Sequence, residues 1–232
     1  MRSLMLLLAL LSLVACGDTS EIDNAPKATV HGAVKAAPTK APETDAPPDP
    51  AEGEAAAAGE AHSEPGSAPV ATPLTLDPAA SSIGFVGAKI TGTHDGGFKG
   101  FTGAMSWAAG APSGLTVDVD MGSLFADHPK LEKHLKSADF FDVVAKPAAG
   151  FVATTFTHGE GSAWTVAGTL TLNGASREIS FPATISKSDG ALRAQATFQI
   201  NRQDFGITYP GKPDDLIKDE VALRVLLVFP EA

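Results

Sequence analysis

Cysteine is almost absent from this chain of 232 residues: Cys16 is the only one. An internal disulfide is therefore impossible, and metal sites built on paired cysteines are excluded. Long hydrophobic runs are lacking as well. The apolar run at residues 4–14 is about half as long as a membrane-spanning helix needs to be, and a basic residue precedes it. This combination is typical of a signal peptide, so we expect the protein to be exported.

A basic surplus is also lacking, since the formal net charge is −10. Binding to nucleic acid phosphates requires a basic face, so nucleic acid is not an expected partner. Most of the negative charge, −7, lies in residues 17–72, which contain fifteen alanines, eight prolines and no aromatic residue. Such a segment has too little apolar surface to offset the entropy of ordering it. We therefore predict a disordered tether over residues 16–72.

The tetrapeptide Leu13-Val14-Ala15-Cys16 resembles the lipobox of bacterial lipoproteins. The resemblance implies that residues 1–15 are removed as a lipoprotein signal peptide and that acylated Cys16 anchors the mature protein to a membrane. Gly17, rather than aspartate, follows the cysteine. By the same resemblance this favours a place in the cell envelope on the outer membrane, facing the periplasm. The alternative is an inert cysteine inside an apolar run.

Residues 73–232 are long enough for one domain with its own core, and their sequence repeatedly alternates apolar and polar residues. In LTVDVDM, Leu115, Val117, Val119 and Met121 share one face, as expected of a half-buried β-strand. The same alternation occurs in WTVAGTLTL, EISFPATI, ALRAQATFQI and VALRVLLVF, and strands expected around SSIGFVG, FKGFTGAMSW and GFVATTF bring the number to eight. No long helical pattern intervenes, so the strands should be antiparallel.

Turn signals separate these strands at residues 95–97, residues 112–114, Asn173-Gly174 and Asp189-Gly190. Eight antiparallel strands leave a sandwich or a closed barrel as the main options. The inward positions include the small residues Gly168, Ala183, Ala194 and Ala196. In a barrel these would leave room for one ligand; alternatively they mark places where the sheet packs closely.

Several motifs in this domain resemble one family of bacterial periplasmic proteins. HLKSADFFD, KPAAGF, VAGTLTLNGASREISFP, INRQDFGI and IKDEVALRV occur in the order and spacing of the YceI-like family, and the resemblance covers residues 74–229. That family has a lipocalin-like barrel that binds polyisoprenoid or related lipids. The resemblance therefore implies an all-β fold, an eight-stranded antiparallel barrel with a short helix or loop insertion covering one end, and an apolar lipid as ligand.

The inward faces agree with such a ligand, because they offer methyl and phenyl groups and almost no hydrogen-bonding partners. Burial contributes about 0.8 kcal/mol per CH2, whereas a net hydrogen bond contributes about 1 kcal/mol, so chain length should matter more than head group. Arg202 is the candidate for contact with a head group, since arginine suits phosphate. The predicted lipid-binding residues are Phe85, Phe101, Trp107, Leu115, Val117, Val119, Phe140, Phe141, Phe151, Phe156, Leu170, Phe181, Phe198 and Ile200.

Catalytic signatures are lacking: the chain has neither a Gly-x-Ser-x-Gly elbow nor His-Glu-x-x-His. We predict a binding protein without catalysis, cofactor or metal. His128 and Glu132 would share one helical face, which two metal ligands could use, but no third ligand is evident and Pro129 suits the first turn of a solvated helix. A metal-dependent enzyme is the weaker alternative. An interaction module of the cell envelope is another, and a homodimer is compatible with either.

Between LTVDVDM and GFVATTF, residues 122–150 leave the simple hairpin path. We expect HLKSADFF in this stretch to form a short helix and loop over one end of the barrel. Leu135, Phe140 and Phe141 would then point into the apolar interior, while the charged residues among them stay in water. An irregular element can bury two adjacent rings in this way because the barrel supplies the surface they need. The sequence therefore predicts a lid.

Overall fold

The computed structural model describes residues 20–33 and 73–231. These residues form an all-β fold with two short helices, α1 (Ser20–Asn24) and α2 (Pro129–Lys136), and two 3-10 turns, Met121–Ser123 and Arg202–Phe205. The strands are β1 (Thr29–Ala33), β2 (Pro73–Thr75), β3 (Ser82–Lys89), β4 (Gly92–Phe98), β5 (Phe101–Ala108), β6 (Ala111–Asp120), β7 (Leu124–Ala126), β8 (Ala148–His158), β9 (Ala163–Leu172), β10 (Ala175–Ser188), β11 (Ala191–Asn201), β12 (Gly211–Lys212), β13 (Asp215–Leu216) and β14 (Glu220–Pro230).

One curled antiparallel sheet contains all of these strands except the small β12–β13 hairpin. Its order is β2-β5-β6-β8-β9-β10-β11-β14-β3-β4-β7, and β1 pairs with β10 beside this path. Beyond β2, the amide of Leu76 donates to the carbonyl of Gly103 in β5, and that of Asp77 donates to Val228 in β14. The predicted all-β, lipocalin-like fold is confirmed, but the described residues contain more strands than the eight predicted.

Two of the predicted turns are confirmed and one is displaced. Asn173-Gly174 and Asp189-Gly190 connect their strands with positive φ at both positions, 52° and 78° in the first turn and 54° and 69° in the second. Such pairs match the right-handed twist of a hairpin. Residues 112–114 lie inside β6, because the turn occurs earlier, at Ala109-Gly110, where φ is 51° and 83°.

The fourth predicted turn, residues 95–97, is part of strand β4, which the sequence did not indicate. Gly96 is required there because a Cβ would lie 2.3 Å from Cζ of Phe85 and 2.7 Å from the carbonyl oxygen of Phe125. A glycine can thus lie in a strand interior where a neighbouring ring covers the backbone. A Cβ at Gly97 would likewise lie 2.6 Å from the carbonyl oxygen of Ile83. Both glycines therefore reflect close approach of neighbouring strands rather than a reversal of the chain.

Residues 20–33 correct the predicted tether, because they pack onto the barrel instead of remaining disordered. Strand β10 pairs with β9 over residues 175–184 but with β11 only over residues 184–188. Where β11 diverges, β1 takes its place and pairs with residues 177–180 of β10. The rest of the predicted tether, and Cys16 with the apolar run before it, lie outside the described residues.

Helix α1 holds this segment on the outer face of the sheet. Ile22 is 1% exposed and packs with Val86, Ala88 and Ala222. The side-chain amide of Gln199, itself buried, donates to the backbone carbonyls of α1 and of the residue that follows it. The burial of Ile22 and the hydrogen bonds from Gln199 explain why an alanine- and proline-rich stretch is ordered here. None of the helices in the described ranges has the length and apolar character needed to span a bilayer.

Candidate functional site

The inner faces of the long strands and of α2 enclose a cavity of about 470 Å³. That volume lies within the roughly 300–1,000 Å³ typical of ligand sites. Most of the wall consists of aliphatic and aromatic side chains. The rings of Phe181 and Phe198 stack in parallel with centroids 4.0 Å apart, and Phe151 lies 5.4 Å from Phe181. Such a wall favours an apolar ligand, because it offers few hydrogen-bonding groups to a polar one.

Most of the predicted wall residues do face this cavity, although their role in lipid binding stays a prediction. Three do not: Phe101 is buried in the solid part of the core, and Trp107 and Phe156 pack against that core. Trp107 and Phe156 lie near the ends of β5 and β8 that are farthest from α2. The predicted residues that line the cavity are Phe85, Leu115, Val117, Val119, Phe140, Phe141, Phe151, Leu170, Phe181, Phe198 and Ile200.

The small inward residues were explained either by room for a ligand or by close packing of the sheet, and the structure shows both cases. Ala183, Ala194 and Ala196 line the cavity and leave it open. Gly168 has a different reason to be small, because a Cβ there would lie 2.2 Å from the carbonyl oxygen of Val152 on the neighbouring strand. The pairing of β8 with β9 shifts register at this point. Gly168 therefore permits close packing of two strands, and the alanines create the space.

Helix α2 and the loop after it, residues 129–147, form what we call the lid segment. His128 caps the helix, since its Nδ1 accepts a hydrogen bond from the amide of Lys130 at 3.2 Å, and Pro129 occupies the first turn as predicted. Glu132 pairs with Lys136 at 2.9 Å, and this hydrogen bond lowers the pKa of the Glu132 carboxyl. Both candidate metal ligands therefore have helix-stabilising roles. The described residues contain no group of three side chains placed to hold a metal ion.

The two adjacent phenylalanines of the lid segment line the cavity, as the sequence predicted. Phe140 is buried, and its ring lies 5.0 Å from the rings of both His134 and Tyr209. Phe141 is half-buried beside it. Tyr209 was missed because it lies in a connection without strand or helix periodicity. No pattern in the sequence indicates that this connection returns to meet the lid segment.

Replacing Phe141 with alanine is expected to accelerate release of a bound apolar ligand while lowering the free energy of unfolding by only about 1–2 kcal/mol. The reason is that burial of a whole phenylalanine contributes about 1.5–3 kcal/mol, and this ring is half-buried against the cavity. Stopped-flow displacement of a fluorescent fatty ligand measures release, and urea unfolding measures stability. If stability falls but release and uptake do not change, the ring is a structural cap only.

One rim of the cavity carries an ion pair between Lys89 and Asp215, whose Nζ and Oδ2 atoms lie 2.6 Å apart. Both residues line the cavity. The hydrogen bond from Lys89 is the main reason that the pKa of the Asp215 carboxyl is lowered, and hydrogen bonds from Thr91 contribute as well. The pair connects the β3–β4 turn with the β12–β13 hairpin. It therefore fixes the position of the hairpin beside the cavity.

The Lys89–Asp215 pair predicts that the β12–β13 hairpin loosens in acid. Because the pKa of Asp215 is lower in the folded protein, its stabilising contribution is present at neutral pH and is lost as pH falls through the folded pKa, below the usual aspartate value of about 3.9. We expect amide hydrogen exchange in residues 211–217 to quicken in Asp215→Asn at pH 7. The difference between this variant and the parent should shrink as pH falls through the folded pKa of Asp215, because the parent then loses the carboxylate as well. A difference that is independent of pH would contradict this role.

Arg202 lines the cavity, as its candidacy required, but its guanidinium already has protein partners. Its side chain donates to the backbone carbonyls of Ile207 at 2.6 Å and Lys218 at 3.1 Å, and to the Asp219 carboxylate at 2.9 Å. The residue is only 4% exposed. These contacts connect the 3-10 turn that begins at Arg202 with the segment that precedes β14. Contact with a lipid head group stays a prediction, and the geometry gives Arg202 a structural role.

Comparison with known proteins is consistent with this architecture. The family model that describes the YceI-like domain matches residues 74–229 of the sequence, which is most of the chain. The chain belongs to the YceI-like family. Among its relatives is a UPF0312 protein of Pseudomonas putida strain F1, which is 35% identical over 137 residues, or 56% of this chain and 71% of the relative. A UPF0312 protein of Pseudomonas savastanoi is 38% identical over 138 residues, with the same shares covered.

Solved structures share the YceI-like fold at lower sequence identity. BcnA of Burkholderia cenocepacia superposes with a TM-score of 0.62 at 22% identity, covering 66% of this chain and 98% of that one. A polyisoprenoid binding domain from Saccharophagus degradans, implicated in plant cell wall breakdown, superposes with a TM-score of 0.59 at 17% identity. The match covers 70% of this chain and 99% of that one. At these identities the likeness establishes the fold of this YceI-like chain.

Proposed function

We propose that this YceI-like domain binds and carries an apolar isoprenoid-type lipid without catalysis. The observation that carries the proposal is the cavity of about 470 Å³, whose wall consists mostly of aliphatic and aromatic side chains. Since each buried CH2 contributes about 0.8 kcal/mol, one isoprene unit outweighs a single head-group hydrogen bond of about 1 kcal/mol. The description of the Saccharophagus degradans domain as polyisoprenoid-binding supports the same ligand class.

The proposal includes attachment to a membrane through acylated Cys16. Its support is the lipobox-like Leu13-Val14-Ala15-Cys16 and the principle that several acyl chains hold a protein on a membrane far more firmly than one. Gly17 supports an outer-membrane location facing the periplasm. An envelope lipoprotein with an apolar cavity would give a hydrophobic lipid a place outside the bilayer, shielded from water.

The test is to purify the full-length protein from membranes, extract it with organic solvent and identify the extracted lipid by mass spectrometry. A prenyl lipid at close to one per protein is the expected result, and native mass spectrometry of the same sample should show the complex. A domain that neither carries nor takes up any prenyl lipid would contradict the proposal. A stoichiometric protein partner on an empty cavity would instead support an interaction module.

A further inference from the structure

Two large apolar side chains are exposed at the rim with the Lys89–Asp215 pair. Ile90, in the turn between β3 and β4, is 68% exposed, and Leu216 in β13 is 46% exposed. The amide of Ile90 donates to the carbonyl of Leu216 at 3.1 Å, so the two residues are neighbours. Each is adjacent in sequence to cavity-lining residues, Lys89 and Ile217 among them. Paired apolar exposure beside an opening indicates a surface that contacts something apolar.

The N-terminal segment is fixed next to this rim. Asp23 of α1 forms an ion pair with Lys218 at 3.0 Å. The amide of Lys218 in turn donates to the carbonyl of Ala88, at the end of β3. Helix α1 therefore lies beside a residue only two positions from Leu216, outside the mouth of the cavity.

The position of α1 limits how far the barrel can be from a lipid anchor at Cys16. Cys16 precedes the first residue of α1 by four positions, and four residues span at most about 14 Å even when fully extended. Residues 34–72 do not add to this distance, because the chain is attached to the barrel on both sides of them. A docked segment 20–33 therefore makes the anchor short.

We propose that the rim formed by Ile90, Leu216 and the β12–β13 hairpin contacts the bilayer surface, so that the cavity mouth faces the membrane. The inference rests on the proposed acylation of Cys16 and adds an orientation to it. The anchor supplies most of the affinity, since two side chains alone bind a membrane weakly, and the apolar pair sets which face of the barrel meets the lipid. An apolar ligand can then pass between bilayer and cavity without crossing water.

The charges around the rim suit a membrane without strong net charge. The two lysines described above are each paired with an aspartate, and two exposed charges of the hairpin, Lys212 and Asp214, are opposite in sign. Attraction to anionic lipid is therefore not required. Phosphatidylcholine vesicles are the appropriate probe, because binding to them reports apolar contact rather than charge.

The test uses the full-length acylated protein in phosphatidylcholine vesicles with an environment-sensitive fluorophore on Lys212→Cys, an exposed position of the same hairpin that leaves Ile90 and Leu216 in place. Cys16 is the only native cysteine, so in the acylated protein the introduced cysteine is the only free thiol. We expect a blue shift of the emission and quenching by brominated lipid. The matched control is Ser162→Cys, in the exposed loop between β8 and β9 at the opposite end of the barrel, which should remain water-like.

Two measurements separate this inference from the proposed anchor. Vesicle flotation and the mass of the acylated N terminus report the anchor directly, and loss of both would overturn the anchor. Flotation with a water-like label at position 212 would overturn the orientation alone. Ile22→Ser, which weakens the packing of α1 on the sheet, should reduce quenching at position 212 at least twofold while flotation persists. Unchanged quenching in that variant would show that the docked segment does not orient the barrel.

Discussion

Arg202→Met is expected to lower the free energy of unfolding by about 3–5 kcal/mol, one of the largest effects of any single substitution in this domain. The guanidinium is the hydrogen-bond donor for the buried backbone carbonyl of Ile207 and for two partly buried acceptors, the carbonyl of Lys218 and the Asp219 carboxylate. Methionine fills similar space but donates nothing, and each buried acceptor left unpaired costs about 1–3 kcal/mol. Equilibrium urea unfolding of the two proteins measures the difference.

Arg193→Met provides the matched control for Arg202. Arg193 lies in β11, the strand that leads to Arg202. Its side chain is partly exposed, donates to the carbonyl and hydroxyl oxygens of Ser188 at 3.0 Å, and lies 3.9 Å from the Asp189 carboxylate. A surface pair of this kind contributes little, so the control should change stability by less than about 1 kcal/mol. If Arg202→Met proves as stable as the control and instead loses affinity for phosphorylated prenyl lipids, Arg202 is a head-group ligand and the structural interpretation is wrong.

The double substitution Ala194→Leu and Ala196→Leu is expected to shorten the longest prenyl chain that the domain binds by about one isoprene unit. Both alanines line the cavity, and together the two leucines add six carbon atoms to it. Loss of five buried carbons from the ligand corresponds to about 4 kcal/mol at about 0.8 kcal/mol per carbon, or up to about a thousandfold in affinity for the longest chain. Titration with prenyl alcohols of increasing length measures the shift.

The control for added bulk is Ala167→Leu, on the face of β9 opposite the cavity-lining Val166. It should leave the length profile unchanged. Thermal unfolding of both variants checks that the cavity has accepted the leucines without disrupting the core, since overpacking of a filled core costs about 1–3 kcal/mol. An unchanged length profile in the double variant would place the lipid elsewhere, or show that none enters.

Strand periodicity was the most informative feature of the sequence, because alternation reports directly which residues face the interior. It correctly indicated that Leu115 and Val117 face inward and placed the turn at Asn173-Gly174. It failed for β4, where GTHDGGF carries glycines that a propensity argument assigns to a turn. The ring of Phe85 over Gly96 and the carbonyl oxygen of Ile83 beside Gly97 explain those glycines, and both come from another strand. Local sequence cannot contain that information.

Composition misled the interpretation of residues 20–33 for a related reason. An alanine- and proline-rich acidic stretch has little apolar surface of its own, and nothing in it announces Ile22 as a core residue. The seat for Ile22 is made by Val86, Ala88 and Ala222, about 60 and 200 residues away. The gap that admits β1 exists because β10 and β11 diverge. This segment is therefore ordered by the barrel surface on which it packs.

The sequence by itself determined the all-β class, the inward faces of most strands, the lid segment and the membership of the YceI-like family. These depend on periodicity and motifs that act over a few residues. Tertiary structure alone decided which apolar residues line the cavity and which fill the core, that Arg202 has protein partners, that Tyr209 meets Phe140, and that the N-terminal segment docks beside the mouth. The physical reason is that cavity space, hydrogen-bond partners and burial depend on how strands distant in sequence approach each other. The hydrophobic pattern, in contrast, is a property of each strand by itself.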